Sequence, residues 1–362
     1  RGVSWYRLHY TVPFIYEAQR LYLQFDGASL VADVYVNGTY LGKHQGGYGT
    51  FRFDATSALV VGLDNVIAVK VDNSYATDIA PLNGDFTVFG GLYRAVHLLA
   101  VDEVHVDLMD HGSSGLFLRQ EQVSKTSADL YVTVEARNES ASPQSVMLNT
   151  FLVDDGNVIV ETFSSTEIIE AHSGHTFVQT MIIGQPHLWD GQRDPYLYRV
   201  YAQIQVASTF KDVVSAQIGF RSYSIDPDKG FFLNGRYLDL HGVNLHQDRL
   251  HQGWAVSDED LDEDFSLIIT MGANAIRASH YQHSQRLYDN ADRQGMIIWS
   301  EQPILKSILP TSAFAQNAEQ QLTEMIRQNY NHPSIIFWGI ANEVMNDEAT
   351  NTLLQRLNGV AH

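Results

Sequence analysis

The sequence predicts two β-sandwiches followed by the first half of a parallel (β/α)8 barrel, and three observations carry that prediction. From Trp5 to about residue 221, short runs of alternating apolar and polar residues are separated by Gly, Asn and Asp turns, the signature of antiparallel sandwiches. After FRSYSIDPDKGFFLNGR (220–236) the pattern changes to apolar runs separated by helical segments, which calls for a parallel sheet. Each apolar run of this last part also ends in a cluster of polar residues. A length of 362 residues suits several domains.

Residues 1–100 form the first unit, a jelly-roll-like sandwich with LYLQF (21–25), VADVYVNG (31–38) and NVIAVKV (65–71) among its strands. Residues 101–221 form an immunoglobulin-like sandwich of about seven strands, including ADLYVTVEARN (128–138), VMLNTFLVDD (146–155), TFVQTMII (176–183) and LYRVYAQIQV (197–206). Residues 222–362 form strands 1–4 of a TIM barrel. Its runs are YLDLHGVN (237–244), ANAIRASH (273–280), GMIIWSE (295–301) and SIIFWGIANE (334–343). Helices are expected over 258–271, with Ser257 as N-cap, over 284–294 and around 313–330. A whole barrel takes about 250 residues, so the sequence provides roughly half of one.

Composition narrows the function classes. Lys+Arg 23 against Asp+Glu 42 gives a net charge of −19, a field that repels nucleic acid and anionic membrane surfaces. No apolar run reaches the length of a membrane-spanning helix. The absence of Cys excludes disulfides, thiol catalysis and cysteine-ligated metal, and leaves the compartment open. The opening RGVSWYRLHYTVP reads as the middle of a strand rather than a signal peptide. Asn37-Gly-Thr39 and Asn138-Glu-Ser140 fit the glycosylation triplet, which without a signal implies nothing about secretion.

In a barrel of this type the carboxyl ends of the strands make one rim, so residues distant in sequence converge on one pocket. The first run contributes Asn244, His246 and Asp248, and the second Arg277, His280 and Tyr281. The third contributes Trp299 and Glu301, and the fourth Trp338, Asn342 and Glu343. Singly, each is a solvated or structurally bonded polar group; four clusters in phase point to a site. Amides and carboxylates beside aromatics suit a neutral polyhydroxylated ligand. Trp299 and Trp338 are either core aromatics or, with Tyr281, the floor on which a sugar ring stacks. No Gly-rich phosphate cradle, no helical His-Glu zinc pairing and no G-x-S-x-G elbow is present. A hard cation such as Mg²⁺ or Na⁺ is less easily excluded.

These residues resemble glycoside hydrolase family 2, most closely its β-galactosidases. The resemblance runs through WYR (5–7), VYVNG (34–38), DFTVFGGLYR (85–94), DPYLYRV (194–200), LHGVNLHQD, GANAIRASHY, GMIIWSE and NHPSIIFWGIANE. It implies that Glu343 is the general acid/base of a retaining exo-β-glycosidase and that Asn342 donates to the sugar 2-hydroxyl. It further implies that His246 and His280 bind the sugar and that Arg277 orients the carboxylates; Glu301 and Trp338, from their places at the ends of the third and fourth runs, are taken as substrate-binding residues. Asp85 and Asn37 match residues contacting galactose hydroxyls. Asn37-Gly38 is equally a hairpin turn and Asp85 equally a turn cap. The family nucleophile is a second Glu on a later strand, absent from this chain, which ends at His362. The resemblance also implies a magnesium site with a Glu-x-His pair after strand three, which GMIIWSEQPILKS lacks, so no metal is assigned. β-Glucuronidase and β-mannosidase are the alternatives within the family. A noncatalytic carbohydrate-binding or scaffold role is the alternative outside it. A half barrel leaves open edges, so self-association or a companion segment completing it is expected.

Overall fold

The computed structural model describes residues 1–362. Its first sandwich pairs an antiparallel sheet in the order Val3–Thr11, Asp64–Asp72, Val31–Val36, Thr39–Gln45 with a sheet in the order Phe51–Asp54, Arg20–Phe25, Val96–Val101. Alternate residues of these strands, among them Leu21, Leu23, Phe25, Val34, Val36, Val69 and Val71, make one buried core. The second sandwich has two four-stranded sheets around a 22-residue core. The strict alternation of Ser127–Asn138, inward at every second residue, sets the register of that core.

A short antiparallel sheet, Tyr223–Asp226, Gly230–Leu233 and Arg236–Tyr237, follows and packs Phe231 and Leu233 under the barrel strands beside Trp189, Ile297 and Ile336. The barrel portion consists of β1 (Gly242–Leu245), α1 (Asp258–Thr270), β2 (Ala275–Ala278), α2 (Gln285–Gln294), β3 (Ile297–Glu301), α3 (Ser312–Asn329), β4 (Ile335–Gly339) and α4 (Glu348–Ala361). The four strands pair in sequence order and in parallel, as expected for half a barrel. The predicted first run starts late: residues 238–241 are not strand, and only Gly242–Leu245 enters the sheet. Ser257 does cap α1, its hydroxyl accepting from the Asp260 amide in a reciprocal capping box.

Polar contacts add to the apolar packing between the units. The half-buried Arg221, at the end of the second sandwich, donates to the carbonyls of Pro333 and Ile335, where β4 begins. Burial pushes its pKa down to about 10. Trp189 is fully buried, and its indole N–H donates to the Asp292 carbonyl in α2. Asp292 in turn accepts from Ser334 through Oδ1 and from His332 Nδ1 at 2.6 Å through Oδ2. His332 Nε2 donates to Gln285 Oε1 at 3.1 Å, so both ring nitrogens act as donors, as in an imidazolium. At the C-terminus of α2, Gly295 adopts φ 71°, and a Cβ there would stand 2.1 Å from the Gly191 carbonyl carbon.

Two outcomes follow. Gly295→Ala meets both a left-handed backbone and a backbone collision, and should cost about 2–4 kcal/mol in urea titration; a loss under about 1 kcal/mol would show that the approach of Gly191 relaxes easily. For His332, burial opposes the charged ring, but the charge and hydrogen bond of Asp292, with Asp289 adding to them, leave its pKa above the ordinary 6.5. The stability this supplies is fully present below the unfolded value and lost as pH rises through the raised folded one. The Tm difference between wild type and His332→Gln should therefore be widest below about pH 6 and narrow in alkali; a pH-independent difference would mean the ring is neutral when folded.

Candidate functional site

The parallel register aligns the rim. Asn244 lies opposite Arg277, Arg277 opposite Trp299, and Glu301 opposite Gly339, so successive strand ends present their side chains at one level. Along β2 to β4 the odd-numbered residues Arg277, Trp299 and Phe337 face the barrel interior and, with Asn244 and Ile297, line a cavity of about 300 Å³. Trp299 is 43% exposed there, with the Arg277 guanidinium 5.2 Å from its ring centre.

Arg277 is the hub. Its Nε donates to Glu301 Oε1 and its Nη2 to Asn342 Oδ1, both at 2.6 Å. Glu301 is 2% exposed, and its second oxygen accepts from His280 Nδ1 at 2.6 Å. Both Glu301 oxygens are thus held in charge-assisted bonds, which suits a carboxylate that positions its neighbours rather than one that attacks. Because Asn342 gives its oxygen to Arg277, its amide NH2 remains as a donor. Backbone bonds from Asn342 N to Ile304 O and from Lys306 N to Asn342 O tie this residue to the loop after β3.

His246 completes the opposite wall. The Gln247 amide donates to the Tyr281 hydroxyl, which sits 3.0 Å from His246 Nδ1, so Tyr281 donates to Nδ1 and Nε2 carries the proton. Burial, reinforced by the neighbouring His280, lowers the His246 pKa and keeps the ring neutral, an uncharged N–H donor. The two imidazoles stand 5.5 Å apart, centre to centre.

The first sandwich reaches this rim through the loop between Asp72 and Gly91. Ala80 N bonds Asn317 Oδ1, and Asn83 bonds the Ser307 hydroxyl. The loop places Phe86 5.2 Å from His246 and 6.3 Å from His280, centre to centre, and brings Asp85 Oδ2 within 3.5 Å of Lys306 Nζ. Its own backbone amide, Lys306 and His280 all hold the Asp85 carboxyl below the usual range. Glu343 follows Asn342 with φ 53°; its carboxylate is 63% exposed, accepts no hydrogen bond, and lies 3.9 Å from Lys306 Nζ.

The structure thus brings together His246, Arg277, His280, Glu301, Asn342, Glu343 and Asp85. Three expectations need correction. Asn37 is not at the rim: in the hairpin after Val31–Val36, its amide donates to Ala58 O and Asn65 Oδ1 and its oxygen accepts from Val66, which uses the side chain to hold the turn. Trp338 points outward, packing between the strands and the helix layer, because its neighbour Phe337 takes the inward position. Tyr281 is fully buried beneath His246 and supports the histidine instead of forming a floor. Phe86 and Lys306 were not identified from sequence. Phe86 adjoins Asp85, but nothing in the chain marks a loop that crosses between domains; Lys306 is a lone cation in a polar loop.

A divalent metal does not fit this donor set. Lys306 places an ammonium between Asp85 and Glu343, the exposed carboxylates a hard cation would need. Asp289, Asp292 and His332 also gather their ligand atoms within 4.8 Å, with His332 Nδ1 hydrogen-bonded to Asp292 and Nε2 to Gln285.

Comparison with known proteins agrees with this layout. Three family descriptions match in order: "Glycosyl hydrolases family 2, sugar binding domain" over residues 1–102, "Glycosyl hydrolases family 2" over 113–221, and "Glycosyl hydrolases family 2, TIM barrel domain" over 226–360. A protein of Bacteroides fragilis named beta-glucuronidase is 38% identical over 351 residues, covering 95% of this chain and 50% of that protein. The crystal structure of a putative beta-galactosidase from Bacteroides fragilis superposes with a TM-score of 0.97 at 38% identity, covering 99% of this chain and 54% of that one. Bacteroides uniformis beta-glucuronidase 2, covalently bound to cyclophellitol-6-carboxylate aziridine, superposes at 0.96 with 37% identity, covering 99% and 45%. The chain spans about half the length of the curated relatives it matches. Sandwich, sandwich and parallel rim each fall under their own family description, in the family's order, and the chain belongs to glycosyl hydrolases family 2.

Proposed function

We propose that this chain supplies the sugar-binding rim and the general acid/base of a retaining exo-β-glycosidase, with Glu343 as acid/base. The observation that supports this most is the contrast between the two rim glutamates: Glu301 has both oxygens bonded, whereas Glu343 is exposed and accepts no hydrogen bond. A group that donates and then recovers a proton within one cycle needs oxygens free to meet the glycosidic oxygen and then water.

In this reading the Asn342 amide, the His246 Nε2–H and Asp85 hold hydroxyls of the terminal sugar, and Phe86 and Trp299 offer apolar faces. Glu343 protonates the leaving oxygen while a second carboxylate, about 5–5.5 Å away, attacks the anomeric carbon. Glu343 then deprotonates the water that releases the glycosyl-enzyme, so the β-configuration is retained. The second carboxylate comes from the portion of the family fold beyond the matched residues, in the same polypeptide or in a companion chain. Glu301, locked by Arg277 and His280, holds the rim in shape.

The sugar is a terminal β-glucuronide or β-galactoside. The first is favoured by the similarity to proteins named beta-glucuronidase, one of them bound to a 6-carboxylate inhibitor. The second is favoured by the detailed resemblance of the barrel segments and by a structural neighbour described as a putative beta-galactosidase. With the complete enzyme, kcat/KM for p-nitrophenyl β-D-glucuronide should exceed that for the β-D-galactoside; the reverse order would assign the galactoside, and failure of both would reject the substrate class.

Glu343→Gln tests the acid/base itself. Turnover of substrates with poor leaving groups should fall by about 10² to 10⁴, the usual worth of general acid–base help. Activated aryl glycosides should still form the glycosyl-enzyme, and azide should rescue its breakdown as the β-glycosyl azide. Unchanged activity on both substrate kinds would remove Glu343 from the mechanism.

A further inference from the structure

Lys306 is the one cation that approaches Glu343, and we infer that it is a positioning residue that holds the acid/base in place across the domain boundary. The inference rests on the reading of Glu343 as acid/base. The Lys306 Nζ lies 3.9 Å from Glu343 Oε2 and 3.5 Å from Asp85 Oδ2, so one ammonium sits between a barrel carboxylate and a sandwich carboxylate. No hydrogen bond restrains the Glu343 side chain, and Glu343 itself takes a left-handed backbone conformation. The charged side chain within 4 Å of this carboxylate is the lysine.

The lysine is itself anchored at both ends. Its amide donates to the Asn342 carbonyl at 3.0 Å, and Leu305 bridges Asn342, so the base of the side chain moves with the residue that precedes Glu343. Its neighbour Ser307 accepts from Asn83 of the sandwich loop at 3.0 Å, and the same loop presents Asp85. Two like charges brought to one rim by separate domains would otherwise repel, and a shared cation converts that repulsion into attraction to a common point. Since Lys306 is 42% exposed, the effect is electrostatic and open to solvent, and salt should weaken it.

The test is a double-mutant cycle in the complete enzyme, read with one aryl glycoside of poor leaving group and one of good leaving group. Lys306→Met should lower kcat/KM for the poor leaving group by about ten- to a hundredfold, the size of a Coulomb contact at this distance near a surface. It should affect the good leaving group little, and Lys306→Arg should restore most of the loss. In the Glu343→Gln background, Lys306→Met should have almost no further effect, because the residue it acts through is gone. Raising the salt to about 1 M, where screening reaches about 3 Å, should narrow the gap between wild type and Lys306→Met. Equal losses for both leaving groups, or losses that multiply in the double variant, overturn the inference while leaving the acid/base reading intact. A Glu343→Gln variant without leaving-group dependence overturns both. An unchanged melting temperature for Lys306→Met excludes unfolding as the cause of any loss.

Discussion

Arg277 commits its Nε to Glu301, its Nη2 to Asn342 and its guanidinium face to Trp299, so the geometry of three strand ends depends on one planar cation. Lysine could not replace it, because the fork must reach two acceptors at fixed angles while its face covers an aromatic ring. The arrangement also explains how Glu301 can be almost wholly buried: two charge-assisted bonds replace the water it loses. All of this requires that β2 and β3 pair in the register that sets Arg277 beside Trp299.

Much of this could be read from residues in order along the chain. Alternation distinguishes the sandwiches, the polar endings of the apolar runs locate the rim, and Ser257 marks the start of α1 because a cap is a local event between neighbours. Facing direction was harder. Phe337 and Trp338 are adjacent aromatics, and the sequence does not say which of them turns inward; a bulge beside Trp299 shifts the count by one between β3 and β4. Asn37 was ambiguous for a different reason, since the same amide chemistry serves a hairpin or a hydroxyl, and only its three partners decide.

What lay beyond sequence reading was long range. The loop that carries Asp85 and Phe86 is separated from the histidines it meets by more than a whole sandwich of intervening chain. Its placement follows from an aromatic cluster of Tyr48, Tyr93, Trp254 and Tyr281, in which Tyr48 stacks on Tyr281 at 4.6 Å. Those rings come from the sandwich and from the barrel, and their packing brings the loop onto the rim. Tyr281 thereby serves two structures at once, closing the interdomain core with its ring and orienting His246 with its hydroxyl.

The grip of Arg221 on the carbonyls of Pro333 and Ile335 bears on how such proteins diversify. The last residue of the immunoglobulin-like sandwich holds the backbone from which β4 starts, the strand that leads to Asn342 and Glu343. Exchanging that unit for another sandwich without an arginine at that seam would remove a donor from two carbonyls at the root of the strand. Diversification by shuffling is thus constrained at this boundary, and variation is easier in the loops at the opposite, open end of the strands.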